Sequence, residues 1–226
     1  MCAGWHGIVE HPLPVRLSAQ KALFKFHPSF DHTVGQILAR DPLGKLVIIH
    51  SSSTSDQLLA TIVGRLIRAI AHEAAAAAAA YDKVSPLAPR DRIIVLGHQS
   101  YADFLRLGRS ADVILDTFPF GGGNSHYELL STHTPVVTLR TRQMRGRITY
   151  ALYERMGMAD RSFNVVAASV AEYVQMAVQL GTDKAENGRV SGEIERRVAV
   201  LYEDNAGVEE LGHWIRQVVQ PSLEHC

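Results

Sequence analysis

The chain has 226 residues, 46% of them hydrophobic, enough to bury a full core in one large domain or two small ones and too apolar for a disordered chain. Lysine plus arginine and aspartate plus glutamate both total 23, so no global basic field exists to draw in nucleic acid or an anionic membrane surface, and any anion has to be bound locally. The two cysteines, Cys2 and Cys226, stand at opposite ends, which excludes a disulfide framework, fits a reducing compartment and points to the cytoplasm.

The first eight residues lack the charged and apolar regions of a secretory signal, and no run reaches the roughly 18 apolar residues of a membrane span, so a soluble protein is expected. Short β-rich apolar runs then alternate with helical patterns, the signature of a parallel sheet covered by helices. Residues 22–26 read as the first strand, closed by His27-Pro28. Pro28 suits the first turn of a helix that carries Phe30, Val34, Ile37 and Leu38 at helical spacing. Residues 45–50 read as the second strand, and the serine-rich stretch 51–55 as the cap of a long helix from Gln57 towards Tyr81, alanine-rich over 74–80.

Residues 92–96 predict a third strand, 101–108 a short helix and 113–116 a fourth strand. Glycines 121 to 123 make a loop, Asn124 or Ser125 caps a helix to Ser131, and Thr134-Pro135 leads into a strand over 136–139. A helix over 147–156 stops at Gly157, a weak strand lies near 163–166, and helices over 169–180, 186–201 and 208–219 complete the chain. The expected fold is α/β: a Rossmann-like parallel sheet flanked by helices, with a helical C-terminus. An irregular segment over 1–21 precedes a ligand-binding lobe over 22–226.

In open α/β sheets ligands bind at the carboxyl ends of strands, where helix N-termini offer free N–H groups and a positive dipole end to anions. Strand 113–116, the triple glycine and the following helix supply these parts, and Glu128 stands one turn further in, placed to accept hydrogen bonds from hydroxyl groups. Taken alone, three glycines before a helix make a plain turn more often than an anion site. The loop is no Walker motif, since Lys and Ser/Thr do not follow, and no Gly-x-Gly-x-x-Gly follows the first strand. Asp116, at a buried strand end, suits bonding to loop amides better than catalysis. Arg140, Arg142, Arg145 and Arg147 form a basic cluster that either contacts a phosphate or acidic partner or is simply solvated. The 11 histidines show no His-x-x-x-His or His-Glu-x-x-His spacing, so no metal site and no metal cofactor are expected.

Several blocks in order, Leu23-Phe-Lys-Phe-His-Pro28, Arg92-Ile-Ile, Ala111-Asp-Val-Ile-Leu-Asp-Thr117, the glycine loop, Thr134-Pro-Val-Val-Thr138, Arg145-Gly-Arg-Ile-Thr-Tyr150 and Leu180-Gly-Thr-Asp183, resemble one family. It is the O-linked N-acetylglucosamine transferases in their bacterial SPINDLY-like form. The similarity runs from about Ala22 to about Val219 and lies in the C-terminal catalytic lobe; Phe-Pro-Phe-Gly is also similar to the loop of bacterial protein N-glycosyltransferases.

This resemblance implies the donor-binding lobe of a GT-B enzyme, holding a UDP-GlcNAc-type nucleotide sugar, with no metal required. It implies that Lys25 contacts the donor diphosphate and, with the amides of Gly122, Gly123, Asn124 and Ser125, stabilises the leaving group. Gly123, Asn124 and Ser125 stand where the animal enzymes have His-Thr-Thr, and Glu128 stands where the family has its ribose-binding aspartate. Tyr101 replaces a lysine near the ribose and Phe104 a histidine near the base; Gln99 and Tyr101 would flank the base and ribose end. The implied partners are a UDP-sugar donor and a protein acceptor, with neither nucleic acid nor membrane.

Only some twenty residues precede the lobe, and no helical repeat of about 34 residues is present, so an acceptor lobe is expected to come from elsewhere. Two readings follow: the donor lobe of an inverting protein O-glycosyltransferase, incomplete for catalysis alone, or a non-catalytic nucleotide-binding or interaction module derived from one.

Overall fold

A computed structural model describes residues 17–19, 23–50, 55–81, 85–202 and 205–223. Among them, six parallel strands form the sheet: β1 (Leu17–Ala19), β2 (Leu46–Ile49), β3 (Ile93–Leu96), β4 (Val113–Leu115), β5 (Val136–Leu139) and β6 (Val166–Ala167). Their spatial order is β3-β2-β1-β4-β5-β6. The chain therefore builds outward from β1 in one direction, then returns to the other side of β1 to build β4, β5 and β6. This reversal leaves a crevice beyond the carboxyl ends of β1 and β4, the point where doubly wound sheets take ligands.

Among the described residues, eight α-helices connect and flank the strands: α1 (Pro28–Arg40), α2 (Asp56–Tyr81), α3 (Tyr101–Ser110), α4 (Asn124–Leu130), α5 (Ile148–Arg155), α6 (Val170–Thr182), α7 (Lys184–Arg197) and α8 (Ala206–Leu223). Leu46, Val47, Ile48, Val113, Ile114, Leu115, Val136 and Val137 are all buried, so the central strands read as continuous apolar runs with both faces covered. The edge strand β3 is less covered, with Val95 exposed. The parallel sheet and the helical C-terminus match the expected architecture. The helix expected over 186–201 runs from Lys184 to Arg197 and finishes in a 3-10 turn over Val198–Leu201.

One strand is placed differently. Residues 22–26 were expected to be extended, but Leu23–Lys25 is a 3-10 turn and the strand that occupies the centre of the sheet is Leu17–Ala19. The burial pattern gives the reason: Leu23 and Phe26 are buried three residues apart while Phe24 is exposed, a helical rather than an alternating period. The amide of Phe26 donates to the Leu23 carbonyl at 3.0 Å. The boundary read between residues 21 and 22, and the serines 51–54, lie outside the described residues, but Ser55 does accept from the Leu58 amide at 3.3 Å as the serine cap requires.

The turn leads directly into α1. The His27 imidazole accepts from the Ser29 amide at 3.2 Å and Pro28 takes the first helical position, where its missing N–H leaves nothing unsatisfied. Arg65 of α2 then pins this junction: its guanidinium donates to both Asp31 carboxylate oxygens, at 2.7 and 3.0 Å, and to the Phe26 carbonyl at 2.7 Å. The bidentate pair fixes orientation as well as distance. The Phe26 contact sits one residue from Lys25, so α2 helps to hold the first candidate site residue in place.

Arg92 does the same at the far end of α1. Its side chain is fully buried and donates to the carbonyls of Leu38 at 2.7 Å and Gly44 at 2.9 and 3.0 Å, and to that of Asp41. These are carbonyls at the helix end and its following turn, which α1 itself cannot satisfy. Burial pulls the Arg92 pKa below its ordinary value and Asp41 opposes that shift. Arg92→Ala strands the Leu38 and Gly44 carbonyls without this donor, and a loss of about 3 kcal/mol in unfolding free energy is expected in urea titration. A loss below about 1 kcal/mol would show that water replaces the guanidinium there.

Candidate functional site

The glycine loop begins where β4 ends. Asp116 follows the last strand residue, is buried, and uses both carboxylate oxygens: Oδ1 accepts from the Gly122 amide and Oδ2 from the Thr138 hydroxyl of β5, each at 2.8 Å. The Asp116 carbonyl accepts from the Tyr173 hydroxyl of α6 at 2.9 Å. Burial, with the Asp116 charge adding to it, pushes the Tyr173 pKa well up, so that hydroxyl stays a donor. His126 of α4 is fully buried, bonds Thr149 through Nδ1 and lies 3.7 Å from Asp116 Oδ1. The role read for Asp116 in the sequence, to bond loop amides and shape the turn, is the one it has.

That carboxylate also dictates a glycine. A Cβ on Gly121 would stand 2.9 Å from Asp116 Oδ1 and 3.0 Å from Oδ2, so a side chain there would push the loop off its anchor. Thr117 donates to the Phe120 carbonyl at 2.7 Å, closing the turn from inside. On the outside the Gly121 amide donates to the Arg145 carbonyl at 2.9 Å, tying the loop to the segment after β5. Gly146 completes this seam, since a Cβ there would lie 2.7 Å from the Pro119 carbonyl oxygen.

Lys25 arrives from the other side of the crevice. Its ammonium donates to the Gly121 carbonyl at 2.8 Å and lies 4.3 Å from the centroid of the Phe120 ring, while Phe24 and Phe120 have ring centroids 6.0 Å apart. Residues 96 positions apart are thus in direct contact across the β1/β4 reversal. Partial burial lowers the Lys25 pKa from its ordinary value, and the Asp116 carboxylate opposes that shift.

The remaining site residues sit around this pair. The start of α4 is Gly123 in the capping position, with no side-chain cap; Asn124 and Ser125 are the first helical residues and neither caps, contrary to expectation. The Gly122 amide is committed to Asp116, whereas helix geometry leaves the Gly123 and Asn124 amides without an intrahelical acceptor. Glu128 is half-buried on α4. Gln99 and Tyr101 follow β3: the Gln99 amide turns back to the Gly97 carbonyl at 2.8 Å, and Tyr101 is exposed at the start of α3, which packs against α4. Among the described residues no hydrogen bond joins Gln99 or Tyr101 to the glycine loop.

Two features were not visible in the sequence. Tyr202, after α7, donates to the Tyr127 carbonyl of α4 at 2.7 Å; burial raises its pKa and Tyr101 adds to the shift. Its link to α4 spans 75 residues and no local pattern signals it. A cleft of about 670 Å³ is lined by Tyr127, Arg142, Met144, Arg147, Arg155 and Leu201 among others. The Arg140 and Arg147 guanidiniums lie 4.9 and 5.4 Å from the Tyr150 ring centroid. No helix among the described residues is long and apolar enough to cross a membrane.

The comparisons with known proteins bear on the family and the fold. Over 92 residues the chain is 33% identical to the UDP-N-acetylglucosamine–peptide N-acetylglucosaminyltransferase of Caenorhabditis elegans, covering 41% of this chain and 8% of that protein. Over 89 residues it is 28% identical to the UDP-glucose:protein N-beta-glucosyltransferase of Actinobacillus pleuropneumoniae, covering 39% and 14%. Among solved structures, an O-GlcNAc transferase variant of Thermobaculum terrenum superposes with a TM-score of 0.71 at 25% identity, over 95% of this chain and 37% of that one. The pneumococcal O-GlcNAc transferase, solved with UDP and GlcNAc, shares the fold at a TM-score of 0.52 and 17% identity, over 89% and 36%. The chain thus spans a minor part of each relative's length. The model of glycosyl transferase family 41 matches residues 61–205, well over half of the chain, and the chain belongs to that family.

Proposed function

We propose that the β1/β4 crevice binds a UDP-GlcNAc-type nucleotide sugar and that the chain serves as the donor-binding lobe of an inverting protein O-glycosyltransferase. The observation that carries this reading is the Lys25 ammonium set against the glycine loop across the topological reversal. The family match supports it, as do the names of the two curated relatives, both of which are transferases that take a UDP-sugar and act on peptide or protein.

The chemistry follows from charge. As the bond between the sugar carbon and the diphosphate oxygen breaks, its electron pair stays with the diphosphate, and negative charge grows there. A fixed cation and helix-end amides stabilise that developing charge more than the ground state. Lys25 has two further ammonium protons beyond the one given to Gly121, and the amides of Gly123 and Asn124 lie at the N-terminus of α4. On this reading Lys25 supplies the positive charge and no metal ion is called for. Glu128 would accept from the ribose hydroxyls, and Gln99 and Tyr101 would line the base and ribose end. The acceptor would be a protein hydroxyl presented by another part of the enzyme.

UDP should raise the thermal midpoint of the chain, because a ligand bound only by the folded state shifts unfolding by mass action. Lys25→Ala should weaken UDP binding in calorimetry by about tenfold while leaving the unliganded chain folded, the loss expected for one charge-assisted contact. No response to millimolar UDP or UDP-GlcNAc would overturn the donor-site reading, and equal affinity in the variant would remove Lys25 from it.

The lowered Lys25 pKa adds a pH test. The charged form is present below that pKa and is lost as pH rises through it, so UDP affinity should fall on the alkaline side before the ordinary lysine range is reached. Lys25→Arg, charged throughout, should flatten that fall. A wild-type affinity that is level over the same pH span would show that the ammonium does not meet the nucleotide.

A further inference from the structure

We propose that His32, His72 and Glu73 form a surface site for a divalent transition-metal ion of the zinc class, which clips α1 to α2. The site is separate from the crevice, and the local histidine spacing of the sequence gave no sign of it, because His32 and Glu73 lie 41 residues apart and meet only through helix packing.

The geometry fits the ion. His32 Nδ1 lies 3.3 Å and His72 Nδ1 lies 3.5 Å from the same oxygen, Glu73 Oε1. All three candidate ligand atoms fall within 4.8 Å of one another. A tetrahedral zinc ion with bonds of about 2.0–2.2 Å has ligand-to-ligand edges of about 3.3–3.6 Å, so two of the three edges already stand at the required length. The two imidazole rings are nearly perpendicular, at 85° with centroids 6.1 Å apart, so they converge on the carboxylate without stacking on each other. Two imidazoles and one carboxylate are a donor set that zinc and its neighbours in the first transition row accept.

The helix packing makes the carboxylate the fixed member. A Cβ on Gly35 of α1 would lie 2.8 Å from both the Ala69 carbonyl oxygen and Glu73 Cγ. The missing side chain is therefore what lets α2 approach α1 and seats Glu73 in the gap between them. The Glu73 side chain keeps 17% of its surface exposed, against 63% for His32 and 72% for His72. A seated carboxylate flanked by two solvent-facing imidazoles can close on an ion with small side-chain rotations, and leaves a fourth position open to water. Such a clip would brace α1, which starts three residues after Lys25.

The test uses the full chain and zinc alone. Calorimetry should find one equivalent bound, and the thermal midpoint should rise by roughly 5–10 °C at a hundredfold excess over Kd. H32A and H72A should each abolish both effects with the metal-free midpoint unchanged, since both side chains are exposed, and E73Q should weaken binding at least tenfold. The visible absorption of the cobalt-loaded chain gives an independent reading: a four-coordinate spectrum in the wild type and its loss in H72A. No zinc binding by the wild type would overturn the proposal. So would binding that persists undiminished in the H32A/H72A double variant, which would place the ion on other histidines.

Discussion

A buried carboxylate must be satisfied on all sides, and the requirements of Asp116 organise the ligand edge of this protein. One oxygen holds the Gly122 amide, the other holds Thr138 of β5, and the residue's own carbonyl holds Tyr173 of α6. Two strands, a loop and a helix thus converge on one residue. The loop cannot drift because its amide would leave a charge unpaired in the interior, and it cannot accept a side chain at Gly121 because the carboxylate fills that space. The ammonium of Lys25 then approaches a loop whose shape is already settled.

Packing beneath the loop carries the same constraint into the core. Phe118 meets Phe30 of α1 at 5.3 Å and Tyr173 at 5.6 Å between ring centroids, both edge to face, so the loop, α1 and α6 share one aromatic cluster. Arg65 and Arg92 hold the two ends of α1 through carbonyls and a carboxylate, and Gly35 lets α2 approach along its length. The residues around Lys25 are consequently supported from α1 and α2 at once. The proposed leaving-group role calls for a rigid support of this kind, since a preorganised charge acts without reorganisation when the bond breaks.

Legibility in the sequence followed the range of each interaction. Strands of four or five apolar residues, the Pro28 helix start, the Gly157 stop and the role of Asp116 depend on neighbours within a few positions, and all were readable. Residues 22–26 misled because a short apolar run fits either a strand or a tight turn, and only the burial of Leu23 and Phe26 three apart decides between them. The capping of α4 misled for a related reason: Asn124 and Ser125 are good capping residues, but Gly123, next to the amide that Asp116 holds, takes the capping position, one residue before Asn124 and two before Ser125.

By itself, the sequence determined the alternation of apolar strands with amphipathic helices, the glycine loop after a buried strand, and the family blocks that single out Lys25 and Glu128. These are properties of local periodicity and of residue order. Only the tertiary structure decided that β1 lies between β2 and β4, that Lys25 meets Gly121 from across that reversal, that Tyr202 reaches α4, and that His32 comes to rest beside His72 and Glu73. The physical reason is the same in each case. These contacts join residues tens of positions apart, and their existence depends on strand order and on how closely two helices approach, which residue spacing along the chain does not encode.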